Sequence, residues 1–154
     1  MNARSVLLAM MLCLFGVSVC YADDVNMGTW KLNEAKSTLG AGAPKNSTVV
    51  YSAVGDEVQV TVDGVDAAGK PAHNEWKGKF DGKDYPLTGD ATSDTRAYVK
   101  TGDRAMTLTN KKGGKTTFSG SIVVSADGKS RTVTVSGTDA NGKKVTTKSV
   151  YDKQ

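Results

Sequence analysis

Polar and β-branched residues alternate along three runs at the end of the chain, residues 118–125, 131–138 and 145–151. Alternation with a period of two is typical of β-strands that bury one face. The turn sequences Asp127-Gly128 and Asn141-Gly142 separate these runs. Asp-Gly and Asn-Gly between alternating runs indicate hairpins with type I′ turns, in which both central residues have positive φ. The runs therefore predict three consecutive antiparallel strands.

The same pattern recurs toward the N-terminus and predicts seven further strands. They cover residues 28–32, 48–54, 58–62, 71–80, 84–87, 96–100 and 105–110. Pro71 stands at the start of its strand, where the missing N–H group disrupts pairing least. The longest stretch without strand alternation, residues 35–47, contains Pro44 and is predicted to be a loop or a single helical turn. The sequence after residue 22 contains no amphipathic helix pattern of three turns.

About ten strands joined by short turns predict an all-β fold, an antiparallel up-and-down meander. Unpaired edge strands expose N–H and C=O groups that promote aggregation, and a meander removes its edges by closing into a barrel. We therefore expect a barrel of about 8–10 strands. A strongly curved open sheet is the alternative.

The first 22 residues have the pattern of a secretory signal peptide. Arg4 is followed by an apolar run at residues 6–17 and then by small residues before Asp23. Such a run is short for a membrane span and is typical of a signal peptide core. We expect cleavage after Ala22 and a periplasmic or secreted protein; a retained membrane anchor and a lipid-modified Cys20 are the alternatives.

Cleavage after residue 22 of the 154 would leave 132 residues, a single domain at residues 23–154. It would remove Cys13 and Cys20, and with them all disulfide and thiol chemistry. Because Arg4 is the only charge removed, 19 of the 20 basic residues and all 16 acidic residues would remain, a net charge of +3. The charges are interspersed, without the basic and aromatic stripe of a nucleic-acid reader, so we expect no nucleic-acid partner.

His73-Asn74-Glu75-Trp76 is the densest group of chemically useful side chains. On a strand, His73 and Glu75 share one face and Trp76 lies on the other. His73 and Glu75 could form a proton-transfer pair or half of a metal site. Alternatively both face solvent and Trp76 belongs to the core, which we favour because a metal site needs three or four convergent ligands and His73 is the only histidine. With no Gly-x-Ser-x-Gly elbow either, we expect no enzyme activity, no metal and no cofactor.

Gly28-Thr29-Trp30, at the start of the first predicted strand, resembles the Gly-x-Trp signature of lipocalins and related calycin barrels. The resemblance implies that Trp30 packs across the closed end of the barrel against an arginine or lysine from a late strand. Arg131 is the first candidate for that cation because it shares a face with Val133 and Val135, and Lys148 is the second.

A wider likeness covers most of the chain after residue 22. The sequence at residues 28–33, 81–86 and 123–129 resembles a group of small exported bacterial proteins of unknown function. This resemblance agrees with the calycin-like barrel and implies no particular activity.

Large aromatic residues on strands whose other residues are small indicate either a shaped gap or a core packed around them. The aromatic residues expected to line such a gap are Tyr51, Trp76, Tyr98 and Phe118. We expect a non-enzymatic protein that binds a small apolar or amphipathic ligand at these residues. The alternative is a solid-cored structural or protein-interaction module that works through its polar outer surface. The sequence leaves the oligomeric state open.

Overall fold

A computed structural model describes residues 23–40, 43–138 and 144–154 of the chain. These residues form ten β-strands and one 3-10 turn, Glu34–Lys36. The strands are β1 (Gly28–Leu32), β2 (Lys45–Val54), β3 (Glu57–Val65), β4 (Pro71–Gly78), β5 (Tyr85–Thr88), β6 (Thr95–Gly102), β7 (Ala105–Lys112), β8 (Lys115–Val124), β9 (Ser130–Thr138) and β10 (Lys144–Lys153). Each strand pairs antiparallel with the next, and β1 pairs with β10, so the sheet closes into a barrel. The predicted meander and its closure are confirmed, and the open sheet is wrong.

Some sequence predictions concern residues outside the described ranges. They are the signal peptide at residues 1–22, its cysteines Cys13 and Cys20, and the Asn141-Gly142 turn between β9 and β10. Within the described part of the chain, no helix is long and apolar enough to cross a membrane.

The hairpin turns follow from local sequence, although one turn type differs from the prediction. At Gly113-Gly114, between β7 and β8, both residues have positive φ, 55° and 77°, as a type I′ turn requires. At Asp127-Gly128 the type I′ prediction is wrong, because Gly128 has a φ of 70° and no described non-glycine residue has positive φ. The Asp127 carboxylate instead accepts hydrogen bonds from the Lys129 N–H at 3.0 Å and the Ser125 hydroxyl at 2.5 Å. These bonds stabilise a wider loop closed by the Ser125 N–H and the Ser130 carbonyl.

The inward face of the barrel follows from cross-strand register, because residues directly opposite each other share a face. Trp30 lies opposite Val49, Val60 opposite Trp76, and Met106 opposite Ile122. The buried apolar side chains of the core are Met27, Trp30, Val49, Tyr51, Val58, Val60, Val62, Trp76, Phe80, Leu87, Tyr98, Met106, Leu108, Ile122, Val124 and Tyr151.

The barrel interior divides into two halves that differ in side-chain size. We call the half that contains Trp30, Tyr51, Arg131 and Tyr151 the sealed half, because residues 24–27 lie across it. We call the half that contains inward-facing Asn74, Asn110, Phe118, Val133 and Val135 the open half. The chain enters the barrel in the sealed half, and the loop that carries the 3-10 turn borders the open half.

Candidate functional site

Trp30 anchors the sealed half. Its side chain is 0% exposed, and the indole Nε1 donates a hydrogen bond of 2.8 Å to the Asn26 carbonyl. The Arg131 guanidinium lies over the indole ring, with Cζ 4.7 Å from the ring centroid. The resemblance to calycin barrels implied a cation at this tryptophan, with Arg131 as the first candidate, and the structure brings the two side chains together. Their stacking joins the first strand to the ninth.

Arg131 also contacts two tyrosine rings. Its Cζ lies 4.8 Å from the Tyr51 ring centroid and 5.1 Å from that of Tyr151. A second cation at Trp30 is Lys153, whose Nζ lies 5.2 Å from the indole centroid. Lys148, the second candidate from the sequence, is exposed and pairs through its backbone with Thr38. Lys148 therefore points away from Trp30, because it is an odd number of residues from inward-facing Tyr151.

Three of the four predicted ligand-contact residues form one packed cluster. The Trp76 ring centroid is 4.8 Å from that of Tyr98 in an edge-to-face arrangement, and Tyr51 is 6.2 Å from Tyr98. Trp76 is 1% exposed, stacks on Phe80 and donates a 2.8 Å hydrogen bond from Nε1 to the Arg96 carbonyl. These contacts fill the middle of the barrel.

Phe118 lies apart from that cluster, in the open half. It is partly exposed and pairs with Gly137 across β8 and β9. A Cβ atom at Gly137 would lie 2.3 Å from Phe118 Cδ1, so the ring covers the space that this glycine leaves free. The four aromatic residues therefore do not form one wall, and their contact with a ligand stays a prediction.

Small apolar residues of β9 line the open half. Val133 and Val135 follow Arg131 on the inward face, yet both remain partly exposed. A closed barrel packed with side chains along its whole length would bury inward-facing valines. Val133 and Val135 therefore pack against the core but keep apolar surface that the core does not cover.

Polar residues also line the open half. Asn74, on β4, lies opposite Val62 on the inward face, and its buried side-chain oxygen accepts no hydrogen bond among the described residues. Asn110, on β7, is buried and accepts a 2.8 Å hydrogen bond from Arg96 Nε. The open half thus combines apolar side chains with hydrogen-bonding groups.

Arg96 is an interior residue that the sequence pattern did not predict. It is 9% exposed, and its Nη1 lies 3.4 Å from the Tyr98 hydroxyl. The available signal was its position in a predicted strand two residues before Tyr98, which places both on one face. An arginine is rarely buried without a charged partner, so charge alone favoured the surface.

His73 lies on the outer face of β4 between two carboxylates. Its Nδ1 is 2.7 Å from Asp63 Oδ1, and its Nε2 is 3.1 Å from Glu75 Oε1. Hydrogen bonds to Asp63 and then Glu75 raise the pKa of His73 above its ordinary value. Because its two ring nitrogens point to different carboxylates, the three side chains do not converge on one point, and the described residues hold no cluster suited to a metal ion.

Two shallow depressions mark the outer surface. One, of about 560 Å³, lies at the rim of the open half between the segment at residues 34–45 and the loop at residues 65–69. The other, of about 490 Å³, lies on the outer face of β7 to β9 and is lined mainly by hydroxyl side chains. Those side chains are Thr107, Thr109, Ser119, Ser121, Thr134 and Ser136.

No protein-family model matches the chain. A search of curated proteins likewise found no significant match.

Proposed function

We propose that the protein binds a small amphipathic molecule in the open half of its barrel and catalyses no reaction. The observation that carries this proposal is the partial exposure of Val133 and Val135, which face inward in a closed barrel. A ligand seated there would bury both valines, and burial of apolar area is the main source of affinity for such ligands. Phe118 would close over the ligand from the same wall.

Asn74 defines the polar part of the ligand. The Asn74 side-chain oxygen is buried without a hydrogen-bond donor among the described residues. A buried acceptor without a donor is unfavourable, so a ligand hydroxyl or amide that donates to Asn74 would gain affinity. This polar group and the apolar wall together favour an amphipathic ligand over a purely apolar one.

We further propose that the protein is an exported, lipocalin-like bacterial protein of the periplasm or cell exterior. Support comes from the signal peptide pattern of residues 1–22 and from Gly28-Thr29-Trp30 in β1, with Arg131 stacked on the tryptophan. The intact mass of protein recovered from the periplasm tests the export step. We expect a chain that begins at Asp23, and a mass that includes residues 1–22 or an added lipid would contradict it.

Filling the open half tests ligand binding. Val135→Phe places a ring in the proposed site, whereas Thr132→Phe adds the same ring on the outward face of the same strand and is the matched control. Isothermal titration calorimetry would measure binding of decanol, decanoate, a quinone and a lysophospholipid to each variant. We expect saturable binding of at least one molecule by the wild type and by Thr132→Phe, and at least tenfold weaker binding by Val135→Phe.

Two results would contradict the proposed function. One is no saturable binding of any of these molecules by the wild type. The other is equal binding by Val135→Phe and Thr132→Phe, provided that both variants keep a cooperative unfolding transition.

The hydroxyl-lined depression on β7 to β9 favours a second candidate, a protein-interaction module that uses its outer surface. Its rows of Ser and Thr side chains present hydrogen-bonding groups on a nearly uncharged patch. If this surface is the functional one, Thr134→Phe should remove a partner that copurifies from the cell envelope, and Val135→Phe should retain it. The opposite pattern would exclude this candidate.

A further inference from the structure

The first strand of the barrel is only half as long as its two neighbours. β1 has 5 residues, whereas β2 and β10 have 10 each. β1 pairs with β10 at residues 151–153, so β10 continues into the open half without a strand beside it on this side. The segment that follows β1 lies next to the remaining part of β10.

That segment covers the edge of β10 only in part. Thr38 exchanges two backbone hydrogen bonds with Lys148, at 2.7 and 3.0 Å. Beyond Thr38 the chain turns toward the loop after β3, with which it lines the rim depression, and the Ala43 N–H donates to the Gly40 carbonyl at 3.0 Å. On the β1 side of residues 144–147, no described residue pairs with β10.

The unpaired edge presents main-chain hydrogen-bonding groups at Lys144 and Thr146. In an antiparallel strand, alternate residues direct their N–H and C=O groups to the same side. Because both backbone groups of Lys148 bond to Thr38, those of Thr146 and Lys144 also point away from β9. Both residues are exposed. Unpaired groups of this kind are a template for an added strand.

The side chains along this edge carry positive charge. Lys144 and Lys148 are exposed on the outward face, and neither belongs to an ion pair among the described residues. Val145 and Thr147, on the inward face, are half-buried. An added strand would therefore meet two unpaired cations on its outward face and a partly apolar surface on its inward face.

The same charges disfavour a second copy of this chain as the added strand. If two β10 edges paired at their Thr146 residues, Lys144 of one copy would lie opposite Lys148 of the other. Like charges directly opposite each other destabilise a strand pair. Charge complementarity therefore favours an acidic partner.

We propose that an extended acidic peptide of a partner protein adds to this edge of β10 as an antiparallel strand. Its main chain would bond to Lys144 and Thr146 and continue the ladder that Thr38 begins at Lys148. Alternate carboxylates on its outward face would pair with the two lysines, and the side chains between them would pack on Val145. This interaction goes beyond the ligand proposed above and does not depend on it.

Two peptides of opposite charge test the proposed partner chemistry. One alternates glutamate with valine over about eight residues, a length within the usual range for a strand, and the other alternates lysine with valine. Both carry a fluorophore and blocked termini, and fluorescence anisotropy measures their binding to the purified protein. We expect saturable binding of the glutamate peptide and at least tenfold weaker binding of the lysine peptide.

Thr146→Pro tests the main-chain contact, because it removes an N–H group at the unpaired edge. Proline is tolerated on an edge strand where its N–H would face away from the sheet. Thr146→Ala is the matched control, since it shortens the same side chain but keeps the N–H group. We expect at least tenfold weaker binding of the glutamate peptide by Thr146→Pro and little change by Thr146→Ala.

Charge reversal tests the side-chain contacts and decides the question if Thr146→Pro does not fold. The double variant Lys144→Glu, Lys148→Glu should prefer the lysine peptide. The double variant Lys115→Glu, Lys129→Glu makes the same change in net charge at exposed lysines elsewhere and should still prefer the glutamate peptide. Equal peptide preference in the two double variants would overturn the proposal.

Amide hydrogen exchange at Thr146, measured by NMR, tests whether the edge is free. We expect rapid exchange in the protein alone and protection when the glutamate peptide is bound. Slow exchange in the monomer without peptide would mean that the chain itself occupies the edge and would overturn the proposal. A dimer in analytical ultracentrifugation that Thr146→Pro dissociates would identify a second copy as the occupant. That result, or no saturable binding of the glutamate peptide, would also overturn the proposal.

Discussion

The two halves of the barrel share one backbone architecture but differ in what fills them. In the sealed half, the inward positions carry the rings of Trp30, Tyr51 and Tyr151 around the Arg131 guanidinium. In the open half, β9 continues beyond Arg131 with Val133 and Val135, which stay partly exposed. Closure of a sheet therefore leaves open whether the interior is filled or hollow. The volume of the inward-facing side chains determines whether each layer of the interior is filled or hollow.

The segment before β1 adds to this difference. Asp24 accepts hydrogen bonds from the Asn26 N–H at 2.9 Å and from Lys100 Nζ at 2.5 Å. Its side chain is 4% exposed. These bonds hold residues 24–27 across the sealed half, where the Asn26 carbonyl accepts from the Trp30 indole. The open half is bordered by a loop instead, so the two halves differ in cover as well as in packing.

The largest effect should come from Trp30→Ala, which removes the centre of the sealed half. Truncation of a fully buried tryptophan typically costs about 3 to 5 kcal/mol. Arg131 would also lose one of its stacked rings. We expect a large fall in the urea midpoint with an unchanged slope, measured by circular dichroism.

Thr29→Ala, on the adjacent outward-facing position of β1, is the control and should shift the midpoint little. A Trp30→Ala midpoint close to that of Thr29→Ala would show that the sealed half contributes little to stability.

A smaller effect should come from Asp24→Asn. Burial raises the pKa of Asp24, but the hydrogen bonds from Lys100 and Asn26 together lower it by more. The net pKa is therefore below its ordinary value of 3.8. A lowered pKa stabilises the folded state above the unfolded-state pKa, and the stabilisation is lost as the pH falls through the folded-state pKa. Loss of a charge-assisted hydrogen bond typically costs about 1.5 to 3 kcal/mol, and we expect the lower figure because Lys100 is partly exposed.

Urea unfolding at several pH values measures this contribution. The difference in the free energy of unfolding between the wild type and Asp24→Asn should be constant near neutral pH and should shrink below about pH 4. Asp103→Asn, in the exposed turn between β6 and β7, is the matched control. If the difference in unfolding free energy between the wild type and Asp24→Asn does not change with pH, the Asp24 charge does not stabilise the fold in this way.

The smallest effect should come from Phe118→Ala in the open half. Full burial of a phenylalanine contributes roughly 1.5 to 3 kcal/mol, and Phe118 is only partly buried, so we expect a loss of about 1 kcal/mol in the free energy of unfolding. The same urea titration measures it. A loss equal to that of Trp30→Ala would show that the open half is packed as tightly as the sealed half and would remove the space that the proposed ligand needs.

Much of the fold could be predicted because its information is local. All ten strands were predicted from alternation, and β4 begins at Pro71 as expected. Strand ends were less accurate: β8 begins at Lys115 and β3 extends to Val65, beyond the alternating valines. The type I′ turn at Asp127-Gly128 was wrong because the Asp127 side chain bonds within the loop, which a dipeptide rule does not include.

The candidate site was less predictable, because it depends on which faces meet inside the barrel. Alternation placed Phe118 on a buried face, but Phe118 lies over Gly137 rather than beside Trp76. Arg96 was overlooked because its charge favoured the surface. Lys153, which no strand pattern covered, contacts Trp30, while Lys148 faces outward.

Apart from the pairing of Trp30 with Arg131, which the resemblance to calycin barrels implied, the sequence by itself determined the strands and most turns. These features depend on two-residue periodicity and on glycine in tight turns, both of which operate over a few residues. Only the tertiary structure decided that Arg96 and Arg131 are both buried in the interior, where no ion pair among the described residues includes them, and that Val133 and Val135 stay partly exposed. In the closed barrel Arg131 of β9 stacks on Tyr51 of β2, and Arg96 of β6 contacts the Tyr98 hydroxyl, which lies 3.4 Å from the Tyr51 hydroxyl. Positions so far apart in the chain become neighbours only when the sheet closes.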